Sequence, residues 1–264
     1  MQTIDFTKGI GYEVISFPDG EKHLKIDKLD RKDTVEIICR ITNSDDLFLL
    51  MQLSDILNRQ CVIVEKISIP YLMTMRCDRL FSLEEAFSLK IVADVINSFN
   101  AQEVCILEAH SHITHKLINN STCYDEFYTR IPQQGWCFCF PDKGAKERYY
   151  NDGTYKPILC EKVRDTATGK LSGFKIVDLG NYKDGDSILV VDDLCDGGGT
   201  FIGIAEKLRE LNPKTLALKV SHAVQRKGIE NVAKVYDEVY ITNSYRDWDN
   251  LPNNVIMDNY NDRV

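Results

Sequence analysis

Ile188-Leu-Val-Val-Asp-Asp-Leu-Cys-Asp-Gly-Gly-Gly-Thr200 leads directly into the helical pattern Thr200–Leu211. The four apolar residues Ile188 to Val191 predict a buried strand. Asp192 and Asp193 come at its carboxyl end, where open α/β sheets bind their ligands. Asp196 to Thr200 then turn into the helix. Gly197, Gly198 and Gly199 permit positive φ and carry no side chain, so backbone N–H groups can point at a phosphate. The helix N-terminus adds a positive partial charge. The acidic pair suits ribose hydroxyls, which donate hydrogen bonds, or Mg²⁺. The plainer reading is a tight strand–helix turn with solvated acids. Strand, paired acids, a third acid, glycines and Thr in one run are far more specific than a Gly-rich loop alone. No Gly-Lys-Ser/Thr follows the glycines, which excludes a P-loop, and the acids precede the glycines, which excludes a dinucleotide fingerprint.

Outward from this run, short apolar segments alternate with helical ones. Thr34–Ile41, Val62–Ile69, Glu103–Glu108, Gly135–Phe140, Ile158–Glu161, Phe174–Leu179, Ser187–Val191, Thr215–His222 and Val235–Thr242 read as strands, the last of these as the final one. Asp45–Asn58 reads as a helix with Leu47, Leu50, Met51 and Leu53 on one side. Ser82–Asn100 reads as another, with Ser82 and Glu85 as its capping box. Pro18-Asp-Gly20 suggests a hairpin turn. The alternation predicts an α/β chain of two similar halves with mainly parallel sheets and crossover helices. The polar stretch Tyr149–Lys156 sets the expected halves at 1–145 and 146–264, with the active site between them.

The 264 residues carry 44% apolar and 27% charged side chains, a formal charge of −8 and a pI near 5.2. That balance offers no general attraction to nucleic acid or to an anionic membrane. No run of about 18 apolar residues is present, so no membrane span is expected. Met1–Gly20 lacks the apolar core of a secretory signal, so a cytoplasmic location is expected. The nine cysteines are scattered and odd in number. They read as reduced thiols used as small core residues, with Cys137 and Cys139 on one face of a strand.

The run 188–200 resembles the phosphoribosyl-pyrophosphate motif of type I phosphoribosyltransferases. Six further segments resemble, in order, motifs of the ribose-phosphate diphosphokinases, also called phosphoribosyl-pyrophosphate synthetases. They are Phe17-Pro-Asp-Gly-Glu21, Pro70-Tyr71 with Arg76-Cys-Asp-Arg79, Ser88-Leu-Lys90, Glu108-Ala-His110, Pro141-Asp-Lys-Gly-Ala145 and Lys162-Val-Arg164. Each is short and weak alone; their shared order makes the resemblance strong. It implies transfer of a diphosphate from ATP to the anomeric hydroxyl of ribose 5-phosphate, with AMP released.

By that resemblance Lys162, Arg164 and His110 are catalytic, the two cations neutralising charge on the transferring group. Phe17, Asp19, Glu21, Arg76, Asp78 and His110 take ATP. Phe17 and Arg76 are suited to stack on adenine. Asp192, Asp193, Asp196, Gly197, Gly198, Gly199 and Thr200 hold the ribose phosphate. His110 and Asp142 engage Mg²⁺. His112 and His115 read as structural, and Phe17 is alternatively a core anchor for its hairpin. The family reaches a neighbouring subunit's nucleotide through the Phe17 segment, so a homo-oligomer is implied.

The chain also departs from the family. Little sequence precedes Phe17, and Asp247–Val264 shows no obvious terminal helix, which puts regulation by phosphate or ADP in doubt. Cys77 replaces the usual Gln, and Glu108 the usual Asp. Gly197 replaces a Thr that helps hold a terminal 5-phosphate. The glycine opens room for a bulkier 5-substituent, such as the diphosphate of ADP-ribose, whose product serves NAD synthesis. Three alternatives follow: an ADP-ribose-using variant, a non-catalytic synthetase-associated regulatory subunit, and an ordinary phosphoribosyltransferase. The Phe17 and Arg76 motifs have no role in the last.

Overall fold

The computed structural model describes residues 1–124, 135–150, 155–164 and 171–260. The chain forms two compact units, Met1–Asp125 and Glu126–Arg263.

The first unit runs β1 (Gln2–Asp5), β2 (Glu13–Ser16), β3 (Lys22–Lys25), β4 (Thr34–Ile38), α1 (Ser44–Gln60), β5 (Ile63–Ile69), α2 (Ser88–Asn97), β6 (Glu103–Leu107), α3 (Ile113–Leu117) and β7 (Ser121–Tyr124). Its five-stranded sheet has the order β1-β4-β5-β6-β7, with every pair parallel. α1 starts where the sequence places it. The Asn43 side chain accepts from the Asp45 and Asp46 N–H groups, and the Asp46 carboxylate accepts in return from the Asn43 N–H. α2 does not start at Ser82. Its first residue is Ser88, and its N-cap, Phe87, offers no side-chain cap. β2 and β3 form the hairpin that Pro18-Asp-Gly20 suggests: the Gly20 N–H donates to the Phe17 carbonyl at 2.9 Å, and Gly20 takes φ 95°.

The second unit runs β8 (Trp136–Phe140), α4 (Lys143–Tyr149), β9 (Ile158–Arg164), β10 (Leu171–Asp178), β11 (Ser187–Cys195), α5 (Gly199–Arg209), β12 (Leu216–Ala223), α6 (Arg226–Val232), β13 (Glu238–Thr242) and β14 (Val255–Asp258). Its seven strands take the order β10-β9-β8-β11-β12-β13-β14, antiparallel only between β10 and β9. β8 and α4 pack with the second unit because Trp136–Cys139 pairs in register with Ser187–Val190. The unit therefore begins before residue 145. Val235–Thr242 is not the last strand; β14 follows, parallel to β13.

β11 explains its own sequence. Ile188 and Val190 enter the core beneath α5 and α6, while Leu189 and Val191 enter the smaller core beneath α4. A strand covered on both faces reads as a continuous apolar run. Cys137, Cys139 and Cys160 are buried in the first of these cores, and Cys139 Sγ lies 3.7 Å from Cys160 Sγ. Burial pushes the Cys139 thiol well up, so it stays protonated, as a small core residue should.

Candidate functional site

Asp192 and Asp193 sit inside β11 rather than after it, because the strand continues to Cys195 and pairs Leu194 with His222. Gly198 takes φ 82° and caps α5 without any side-chain hydrogen bond. A side chain there would crowd Val232 Cγ1 at 3.0 Å and the Gly228 carbonyl at 3.1 Å. Glycine is therefore required twice over, by the backbone angle and by the close approach of α6. No side chain caps the first N–H groups of α5.

The loop is held from below. Gln225 Nε2 donates to Asp196 Oδ1 at 2.6 Å, and the Val224 N–H donates to the Cys195 carbonyl at 2.9 Å. Gly228 in α6 lies so close that a Cβ on it would fall 1.8 Å from the Asp196 carbonyl oxygen. A lone glycine in a helix signals close packing, but α6 is too short for the sequence to show it as a helix, so nothing there points to Gly228.

Arg148 of α4 reaches both acids. Its Nη1 is 2.7 Å from Asp193 Oδ1 and 3.4 Å from Asp192 Oδ1. Arg148 belongs to none of the motifs or elements read from the sequence, so the sequence does not single it out. Burial raises Asp192 well above the usual carboxylate range, and the adjacent Asp193 charge adds to this; Arg148 offsets it in part.

A stability consequence follows. A carboxyl raised on folding contributes stability below the unfolded value of about 3.9 and loses it as pH rises through the folded value. Asp192→Asn removes that loss. The variant is expected to melt about 3 °C higher than the parent at pH 8, with the gain shrinking towards pH 4, as calorimetry at a series of pH values would register. An unchanged or lower midpoint at pH 8 would count against the raised carboxyl.

Next along the sheet, Asp142 caps α4: its Oδ1 accepts from the Ala145 N–H at 3.0 Å. Lys162 on β9 places Nζ 3.5 Å from Asp142 Oδ2. The charge of Asp142 is felt at Asp192. The second unit thus brings Asp142, Lys162, Asp192, Asp193 and the 196–200 loop to one end of its sheet. Arg164 closes β9, with its side chain outside the described residues.

In the first unit, Asp78 is buried at 3% exposure, with Arg79 Nε at 2.9 Å. The Arg79 hydrogen bond, with contributions from Ser111 and His110, holds its carboxyl below the ordinary value. Asp78 and His110 are thereby brought together. Phe17 is 46% exposed, which removes the core-anchor reading. Phe17, Asp19 and Glu21 lie at the β2–β3 tip, where Asp19 Oδ1 accepts from the Glu21 N–H at 3.1 Å. Arg76 is exposed in the segment between β5 and α2. His112 is the N-cap residue of α3 and His115 lies within that helix, where His115 Nδ1 lies 3.1 Å from Ser121 Oγ.

An open-ended, mainly parallel sheet with a glycine loop entering a helix behind paired acids defines a protein of the phosphoribosyltransferase type. The Phosphoribosyl transferase domain family matches residues 158–258. A ribose-phosphate pyrophosphokinase of Pyrococcus furiosus is 28% identical over 252 residues, covering 88% of this chain and 85% of that protein. One from Campylobacter jejuni is also 28% identical, covering 90% and 80%. The crystal structure of phosphoribosylpyrophosphate synthetase from Mycobacterium smegmatis superposes with a TM-score of 0.71 at 17% identity, over 94% of this chain and 85% of that one. The chain thus has the phosphoribosyltransferase fold and is similar along most of its length to ribose-phosphate pyrophosphokinases.

Proposed function

We propose that this chain is an ATP-dependent diphosphokinase that transfers the β,γ-diphosphate of ATP to the anomeric hydroxyl of ribose 5-phosphate, releasing AMP. The observation that carries the reading is the single sheet end of the second unit. There the uncapped start of α5, the acids of β11 and Lys162 stand together. The N–H groups of 197–200 hold the 5-phosphate. The acidic pair of β11 serves the sugar hydroxyls and fixes the sugar for attack at the β-phosphorus. Lys162 and Arg164 neutralise the charge that grows on the phosphoryl oxygens.

Among the described residues no cluster of three metal-ligating side chains exists. A single carboxylate such as Asp142 nevertheless fits Mg²⁺ that arrives with the nucleotide, because Mg²⁺ keeps its waters and is bound by one or two carboxylates plus phosphate oxygens. When bound there, it would offset phosphate charge. Phe17, Asp19, Glu21, Arg76 and Asp78 serve the nucleotide. The exposed Phe17 tip suits contact with a neighbouring copy, so a homo-oligomer in the cytoplasm is part of the proposal. A fully active monomer in light scattering would remove that part. The decisive assay is AMP release from ATP and Mg²⁺ with ribose 5-phosphate as acceptor. No acceptor-dependent AMP would reject the reading.

One observation favours a second acceptor. A Cβ on Gly197 or on Gly199 would meet nothing within 4 Å. That open space would admit the larger 5-substituent of ADP-ribose, whose 1-diphosphate would feed NAD synthesis. Gly197→Thr is accordingly expected to shift the ratio of kcat/KM values towards ribose 5-phosphate by about tenfold, since its hydroxyl adds one donor to a charged group and its methyl fills the space. A parent enzyme that ignores ADP-ribose in the same assay would sink this variant of the reading.

A further inference from the structure

We propose that Arg148 is a positioning residue that makes the two cradle acids unequal: it fixes Asp193 as its buried counter-ion and leaves Asp192 to meet the sugar. This rests on the reading of the site as a ribose-phosphate cradle.

The two carboxylates stand side by side in the sequence, but their surroundings differ. Arg148 Nη1 lies at full ion-pair distance from Asp193 Oδ1, 2.7 Å, and at a marginal 3.4 Å from Asp192 Oδ1. The Asp193 side chain is 3% exposed and that of Asp192 18%. A carboxylate removed from water and spent on a guanidinium has little left for a substrate hydroxyl. Asp192 is steadied from another side, because its Oδ1 accepts from the Asp193 N–H at 3.0 Å. The neighbouring Tyr149 ring lies 5.5 Å from the Arg148 guanidinium carbon and covers it further.

Arg148 also links the two ends of the site. It occupies the last turn of α4, whose N-cap is Asp142, the carboxylate facing Lys162. One short helix therefore holds the sugar acids at its C-terminal end and the phosphate-side acid at its N-terminal end. Anchoring α4 to Asp193 sets both.

The test uses the full chain carrying Arg148→Gln, Arg148→Lys, Asp192→Asn and Asp193→Asn, singly and in pairs. In thermal unfolding without ligand, the double-mutant cycle of Arg148→Gln with Asp193→Asn is expected to show strong coupling, and the cycle with Asp192→Asn weak coupling. In AMP-release kinetics, Arg148→Gln should raise the acceptor KM by about 30-fold, the loss of a contact to a charged group. The ATP KM should stay within about twofold. Arg148→Lys should recover most of the acceptor KM, and Asp193→Asn added to Arg148→Gln should worsen it no further. Equal coupling to both acids, an ATP KM that moves with the acceptor KM, or additive effects of Arg148 and Asp193 on acceptor KM would each overturn the proposal. If neither ribose 5-phosphate nor ADP-ribose supports AMP release by the parent, the catalytic reading falls instead. The unfolding cycles still decide whether Arg148 is anchored to Asp193.

Discussion

Lys162→Ala is expected to lower kcat by about a thousandfold, with the KM values for ATP and acceptor changing by less than about threefold. The reason lies in when the charge appears. Both substrates bind with their phosphates already ionised, so a cation serving binding alone would raise KM. A cation aimed at oxygens that gain charge as the β-phosphorus is attacked acts on kcat. The resting contact of Lys162 is a long one, 3.5 Å to Asp142 Oδ2, with the two side chains 37% and 42% exposed. Surface pairs of that kind contribute little to stability, so the variant should fold normally and its kinetics should be readable. Arg164→Ala should behave in the same way. Steady-state kinetics with the acceptor varied at saturating ATP, then the reverse, would check both. A rise in KM with kcat intact would take Lys162 out of the transition state.

Gly228→Ala should damage the site without touching any ligand. Its added methyl would lie 1.8 Å from the Asp196 carbonyl oxygen and displace the main chain that shapes the loop. No rotamer relieves this, since a Cβ cannot rotate away. Overpacking of this sort costs about 1–3 kcal/mol of stability. The cradle depends on N–H groups pointing at one place, so the acceptor KM should rise by about a hundredfold or more. The ATP KM should hold. Gly197→Ala is the control, because its Cβ meets nothing within 4 Å. Equal kinetics for the two variants would show that the support from α6 does not matter.

The parts of the molecule that the sequence makes legible are those in which one short stretch carries its own cause. β11 is buried on both faces and so is apolar throughout, and its acids and glycines are contiguous with it. Asn43 and Asp46 satisfy one another at α1 within a single turn. The parts that stay hidden depend on partners far along the chain. Ser82 and Glu85 have capping-box spacing, and the Glu85 N–H does close a turn on the Ser82 carbonyl at 3.4 Å, yet that turn is not continued and α2 begins at Ser88. β14 is four residues long, lies among polar ones and exists because β13 offers it an edge. α4 and α6 are seven residues each, too short for a clear helical period. The two residues of the site that the sequence does not announce, Arg148 and Gly228, are carried by those same two helices. Their importance comes from what α4 and α6 pack against.

The central place of β11 also bears on how the cradle comes into being. Ser187 sits opposite Trp136, far upstream, and Ile188 opposite Leu216, which is made later. Closing such long loops is slow compared with forming a hairpin such as β9–β10. During synthesis the acids and glycines leave the ribosome before the strand that must flank them. A nascent chain stopped short of Leu216 would hold the whole motif and yet lack the sheet that gives it shape. Sugar-phosphate binding should then arise late in the biogenesis of the protein, in one step with closure of its second sheet.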